Sequence, residues 1–206
     1  MSSSFTKDVF RASAVEVREQ LDAIVRDYRK RGDVPELLDR LATLATASPT
    51  DALVAAIEPY RDMHEVAGPL FEVVVEREPN DAKALVGLAN AFWLTGRGPE
   101  VVGGLASRAI AADPGNRAAW HLWALSESSP RQRVQRWQQV AARFPADELA
   151  KANLADNAAS LAGAENDPVA LKLAIATYEE LLASSTHPAQ TAAVETALAT
   201  LRAWSL

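Results

Sequence analysis

The chain of 206 residues could form one large domain or two small ones, and its hydrophobic fraction of 49% and charged fraction of 23% are those of a globular protein. The absence of cysteine excludes disulfides, a thiol nucleophile and any cysteine-bound metal. A formal net charge of −6 argues against general nucleic-acid binding, so we expect no nucleic-acid partner.

The sequence contains no run of about eighteen consecutive apolar residues, the length that a membrane-spanning helix needs. Its first ten residues also lack the apolar run of a secretory signal. We therefore expect no membrane span and a cytoplasmic location. Alanine makes up about a fifth of the chain, which favours helices that pack closely together.

Proline recurs at regular intervals along the chain. Four prolines are separated by 30, 35 and 31 residues, and each is followed two residues later by Asp or Asn. The pairs are Pro49 with Asp51, Pro79 with Asp81, Pro114 with Asn116, and Pro145 with Asp147. A proline that ends one helix, followed by a side chain that can cap the next, predicts a repeated helix–turn–helix unit.

The segments between these junctions show helical periodicity in two series. The segment before each proline has the pattern Leu37-x3-Leu41-x2-Leu44, Ala67-x3-Phe71-x2-Val74, Val102-x3-Ala106-x2-Ala109 and Arg133-x3-Trp137-x2-Val140. The segment upstream has the pattern Leu21-x2-Ile24-Val25-x2-Tyr28, Leu85-x2-Leu88-Ala89-x2-Phe92 and Trp120-x2-Trp123-Ala124-x2-Glu127. We expect Trp137 to be buried. We expect helices to approach closely at Ala89, Ala124 and Ala155. Gly32 and Gly96 are expected to turn the chain between paired helices.

These residues resemble the tetratricopeptide repeat (TPR) family, whose pattern is W-x2-L-G-x2-Y, then A-x3-F, then P. The resemblance implies an all-α helical solenoid of about five helix pairs in a single domain, residues 1–206. The predicted repeats are 18–51, 52–81, 82–116, 117–147 and 148–186. Pro59 interrupts the first helix of the second repeat.

Both ends of the predicted solenoid carry segments that could cover it. Residues 188–206 predict a C-terminal capping helix, with an apolar stripe that consists of Val194, Ala197, Leu198, Leu201 and Trp204. Residues 5–17 predict an extension of the first helix that shields the first repeat.

The resemblance implies a protein–protein interaction module or adaptor that binds a peptide or helix of a partner protein in a concave groove. Taking the matched register, the groove-facing candidates are Arg26, Val86, Asn90, Trp93, His121, Leu125 and Asp156. Val86, Asn90, Trp93, His121 and Leu125 form the proposed binding set. Trp93 could equally be a packed residue beside Phe92, and Asn90 a solvated one.

The family's carboxylate-binding groove needs several converging Lys, Arg and Asn residues. Lys83 and Asn90 are present, but the later matching positions are His121, Leu122, Leu125 and Asn153, which supply neither Lys nor Arg. An apolar or helical ligand therefore fits better than a charged C-terminus. A basic cluster at Arg131, Arg133, Arg136 and Arg143 could meet an acidic partner.

Catalytic motifs are missing from the sequence. The three histidines, His64, His121 and His187, are far apart and have no metal-binding spacing, and there is no phosphate-binding glycine loop or nucleophile motif. We therefore expect a non-catalytic protein without a cofactor or a metal.

Two alternatives remain open. Residues 84–157 are similar to the TPR domains of cytochrome c-type biogenesis proteins, which implies a chaperone that holds apocytochrome before haem attachment. The chain could instead be a structural subunit that pairs with another copy or with another chain, so a homo-oligomer is possible.

Overall fold

A computed structural model describes residues 13–204, and within that range the ordered structure is helical without a strand. The α-helices are α1 (Ala14–Arg31), α2 (Val34–Ala47), α3 (Thr50–Ile57), α4 (His64–Arg77), α5 (Ala82–Leu94), α6 (Pro99–Ala112), α7 (Arg117–Leu125), α8 (Pro130–Arg143), α9 (Glu148–Glu165), α10 (Pro168–Ser184) and α11 (Pro188–Arg202). The predicted all-α repeat fold is confirmed. The predicted N-terminal extension lies outside the described residues, except for its last five positions.

Three of the four proline junctions have the predicted capping chemistry. Asp81, Asn116 and Asp147 are the N-cap residues of α5, α7 and α9, and their side chains accept hydrogen bonds from the first backbone N–H groups of those helices. The fourth prediction is wrong for Asp51. There Pro49 is the N-cap of α3, and Asp51 lies within the first turn, where its charge complements the helix dipole.

Left-handed glycines end two of the helices where the sequence predicts a turn. Gly32 has φ 69° and follows α1, and Gly96 has φ 75° and follows α5. Such positive φ values cost little only for a residue without a Cβ atom. A third glycine, Gly98, has φ 92° and directly precedes α6.

Helices α1–α6 belong to one compact unit, residues 1–114, of which residues 13–114 are described. In this unit α1 packs against α2 and α3, α2 packs against α4, and α5 packs against both α4 and α6. Helix α3 is short because a 3-10 turn, Glu58–Tyr60, follows it and contains Pro59.

Helices α7–α11 belong to a second compact unit, residues 115–206, described to residue 204. Helix α9 packs against α8 and α10, and α11 packs against α10. Trp137 is 2% exposed and Ala124 and Ala155 are fully buried, which confirms the predicted core positions of this unit. Ala89, in the first unit, is also fully buried.

The apolar stripe predicted for the last helix is confirmed in part. Val194, Leu198 and Leu201 are buried on α11. Trp204 departs from the prediction, because α11 ends at Arg202 and Trp204 lies beyond it with 37% of its surface exposed. The single domain and the five repeat boundaries stay predictions.

Candidate functional site

The C-terminal half of α5 carries two of the predicted binding residues at the surface of the first unit. Asn90 is exposed and Trp93 is 37% exposed. Residues three apart lie on one side of a helix, so both side chains share that side. Val86 lies one turn earlier but is only 7% exposed, so it belongs mainly to the core of the unit.

An adjacent side of α5, about 100° around the helix, packs closely against α4 through small residues. An ideal Cβ on Gly87 would lie 2.5 Å from two ring atoms of Phe71, which shows that the Phe71 ring rests directly on the backbone of α5. A Cβ on Gly68 of α4 would meet the Cβ of Ala91 at 3.4 Å. This close packing fixes the orientation of α5 and leaves the Asn90 side facing solvent.

The end of α5 adds further apolar surface. Leu94 is 59% exposed, and Val101, early in α6, is 47% exposed. The Arg97 guanidinium lies over the Phe92 ring at 5.3 Å from the ring centroid and covers part of that ring. Trp93 and Leu94 therefore present uncovered apolar atoms beside an exposed amide, that of Asn90.

His121, on α7 of the second unit, is engaged by its own unit. Its Nε2 lies 2.7 Å from Oδ2 of Asp147, so an Nε2–H donates to this carboxylate. Its ring also meets the Trp137 ring edge-on, with centroids 5.3 Å apart. These contacts hold the imidazole in place, so His121 is an internal contact of this unit in addition to being a predicted binding residue.

Asp147 is the centre of that arrangement, although its side chain is only 5% exposed. Besides His121, it caps α9 by accepting from the backbone N–H groups of Leu149 and Ala150 at 3.1 and 3.2 Å. Burial raises the pKa of this carboxyl, but hydrogen bonds from Ala150 and His121 outweigh burial, and the pKa lies below its ordinary value.

Leu125 ends α7 and is 36% exposed, as a binding residue must be. The predicted set is thus divided, with Val86, Asn90 and Trp93 on α5 of the first unit and His121 and Leu125 on α7 of the second. That these residues contact a partner stays a prediction.

A cluster of aromatic and cationic side chains, not predicted from the sequence, joins α7 to α8. Trp120 and Trp123 meet edge-on with centroids 5.6 Å apart. Arg136 lies over the Trp123 ring at 4.5 Å, and its Nη2 is 2.7 Å from Oε2 of Glu127. Arg143 lies over the Trp120 ring at 5.6 Å. In the sequence, the W-x2-W spacing on α7 and the arginines of α8 were the features that could have indicated this cluster.

The basic cluster on α8 therefore has internal partners. In addition to the contacts of Arg136 and Arg143, Arg133 donates from Nε to the carbonyl of Glu127 at 2.6 Å. Arg131 pairs with Glu165 at 2.5 Å and Asp167 at 3.0 Å. An acidic partner would have to compete with these contacts.

Residues 13–204 contain no group of three or more His, Asp or Glu side chains placed to hold a metal ion. In the same range no helix has both the length and the apolar character required to cross a bilayer.

No protein-family model and no curated protein sequence matches the chain. Solved structures do match its fold. PilF of Pseudomonas aeruginosa has a TM-score of 0.60 at 15% identity, over 92% of this chain and 86% of that one. MamA has a TM-score of 0.57 at 16% identity, over 84% and 98%. A thermophilic TPR protein in Thermus thermophilus has a TM-score of 0.54 at 14% identity, over 91% and 100%.

At these identities the matches show the fold alone, and that fold is the helical-repeat fold of TPR proteins. The narrower similarity to cytochrome c-type biogenesis proteins is unconfirmed and stays a prediction.

Proposed function

We propose that the chain is a non-catalytic interaction module, in which exposed apolar side chains on the first helix of a pair bind a peptide or helix of a partner protein. The observation that carries this proposal is the combination of Trp93, 37% exposed, and Leu94, 59% exposed, beside the exposed amide of Asn90. Large aromatic side chains at the surface are the residues that most often dominate protein interfaces.

The chemistry of this surface favours an apolar or helical segment as its ligand. Trp93 would bury its exposed indole in the partner, and Asn90 would fix register by hydrogen bonding to the partner's backbone. Leu125, on α7, offers a second apolar contact, to be tested separately because it belongs to the other unit. The fold supports this proposal, since helical repeats present rigid helix faces to a ligand.

The experiment begins with affinity capture of the full chain from the native cell and identification of the bound protein by mass spectrometry. Calorimetric titration of that protein then compares the wild type with Trp93→Ala and Leu125→Asp. Loss of an aromatic anchor should cost about 2 kcal/mol, or about 30-fold in affinity. Leu38→Ala serves as the matched control, because Leu38 is 43% exposed on α2 of the same unit as Trp93.

Unchanged affinity in both variants would place the binding surface elsewhere. The structural-subunit alternative has its own supporting observation, since Leu149 and Val169 in the second unit are 61% and 74% exposed. Sedimentation analysis of the purified chain separates the alternatives, because an interaction module should be monomeric, whereas a structural subunit should self-associate or should aggregate without its partner chain. A cytoplasmic location is part of the proposal, and cell fractionation would test it.

A further inference from the structure

Residues of helices α9, α10 and α11 line a cleft of about 290 Å³ in the second unit, and this cleft is open to solvent. The wall from α9 is small and weakly polar, since it consists of Ala159 and Ser160. The walls from α10 and α11 include Tyr178, Thr200 and Leu201, and Trp204 lies at the edge. A volume of this size accommodates one long side chain of a peptide, whereas most small-molecule sites are larger.

The indole of Trp204 forms an aromatic edge of this cleft. A Cβ on Gly163 of α9 would lie 3.2 Å from Cη2 of the indole, so the ring rests on the backbone of α9. With 37% of its surface exposed, Trp204 still offers a ring face or edge to a ligand. An aromatic face with negative charge nearby attracts cations.

A carboxylate lies beside the other aromatic ring of the cleft, that of Tyr178. The Tyr178 hydroxyl donates a hydrogen bond to Oδ1 of Asp156, a residue that precedes Ser160 by one turn of α9. Burial and this hydrogen bond raise the pKa of the Tyr178 phenol above its ordinary value, so the phenol keeps its proton at neutral pH and remains the donor to Oδ1 of Asp156. Among residues 13–204, no basic side chain forms an ion pair with Asp156.

The charge of this part of the chain favours a cationic occupant. Residues 145–206 contain eight acidic and three basic residues. Two of the three basic residues already have partners, because Lys151 lies 3.6 Å from Glu180 and Arg202 lies 2.7 Å from Glu179. An arriving cation would therefore meet an excess of negative charge.

We infer that this cleft is a subsite for a cationic side chain, an arginine or a lysine of a partner peptide, with its methylene groups against Trp204 and Leu201 and its charged head toward Asp156. This subsite deepens the proposed interaction function and rests on it. It adds a specificity element in the second unit to the apolar contacts proposed on α5.

The test uses single amino-acid amides as probes with the full chain, so that it needs no identified partner. N-acetyl-arginine amide is titrated and followed by NMR at the Trp204 indole N–H and the Ser160 amide. The matched probe is N-acetyl-citrulline amide, which has nearly the same shape without the charge. We expect the arginine probe to bind about fivefold more tightly than the citrulline probe, a modest factor because the cleft is open to water.

The matched variants are Asp156→Asn and Glu180→Gln, which remove one negative charge each. Asn still accepts the Tyr178 hydrogen bond, so Asp156→Asn should stay folded and should abolish the preference for the charged probe. Glu180 lies two residues from Tyr178, on the far side of α10, so Glu180→Gln should retain that preference.

Equal binding of the two probes, or an equal loss in both variants, would overturn the cationic subsite. Failure here is distinguishable from failure of the interaction function, which is tested separately by Trp93→Ala with the captured partner.

Discussion

The contact between Gly87 and Phe71 predicts a large difference in stability between two glycine-to-alanine substitutions, Gly87→Ala and Gly104→Ala. Gly87→Ala places a methyl group 2.5 Å from two atoms of the Phe71 ring, a distance that real carbon atoms do not adopt without displacement. Phe71 is 4% exposed, so its ring has little room to move. Overpacking of this kind costs about 1–3 kcal/mol.

Gly104→Ala is the matched control, because Gly104 also lies inside a helix, α6, and no atom lies within 4 Å of its added Cβ. Both substitutions gain about 0.5–1 kcal/mol from the better helix propensity of alanine. That gain cancels in the comparison, so Gly87→Ala should be less stable than Gly104→Ala by about 1–3 kcal/mol.

Chemical denaturation followed by circular dichroism measures both free energies of unfolding. Equal stabilities of the two variants would refute the packing of α4 on α5 described above. Combining Gly87→Ala with Phe71→Leu should recover part of the loss, because the smaller side chain makes room for the methyl group.

Three further predictions concern the second unit. Trp137→Ala should cost about 3–5 kcal/mol because it empties a large buried site, and a loss below about 1 kcal/mol in denaturation would contradict that burial. Ala124→Leu should cost about 1–3 kcal/mol by overpacking, whereas Ala118→Leu, at an exposed position of α7, should be nearly neutral. Asp147 has a lowered pKa, so its stabilising contribution is present above pH about 4 and is lost as pH falls through the folded-state value. Asp147→Asn should therefore weaken the pH dependence of unfolding in that acidic range, and an unchanged profile would show that the charge contributes nothing.

The repeat signals in the sequence were sufficient for the fold. Proline followed by a capping side chain is a local signal, and the caps at Asp81, Asn116 and Asp147 depend only on residues within one turn. Asp51 shows the limit of such a signal. Helix α3 starts one residue after Pro49, whereas α5 starts three residues after Pro79. The same spacing from proline therefore puts Asp51 inside the first turn of α3, whereas it puts Asp81 at the N-cap of α5.

The environment of individual surface residues was harder to predict. His121 and Asp147 are 26 positions apart, and helical periodicity indicates which side of α7 His121 occupies but not which side chain it meets. Trp204 fits the apolar stripe by spacing, yet α11 ends before reaching it. Neighbouring residues on a helix point about 100° apart. The core position of Phe92 alone was therefore compatible with a Trp93 that faces the groove and with a Trp93 that packs against the core.

Site-specific photo-crosslinking in the native cell most directly tests whether the exposed side of α5 binds a partner. A photoreactive aromatic amino acid replaces Trp93 in one variant and Ser107, an exposed residue of α6, in the other. We predict a discrete crosslinked product with one partner protein from the Trp93 position and none from the Ser107 position. Equal products from both positions, or a product from Ser107 alone, would contradict binding at this surface.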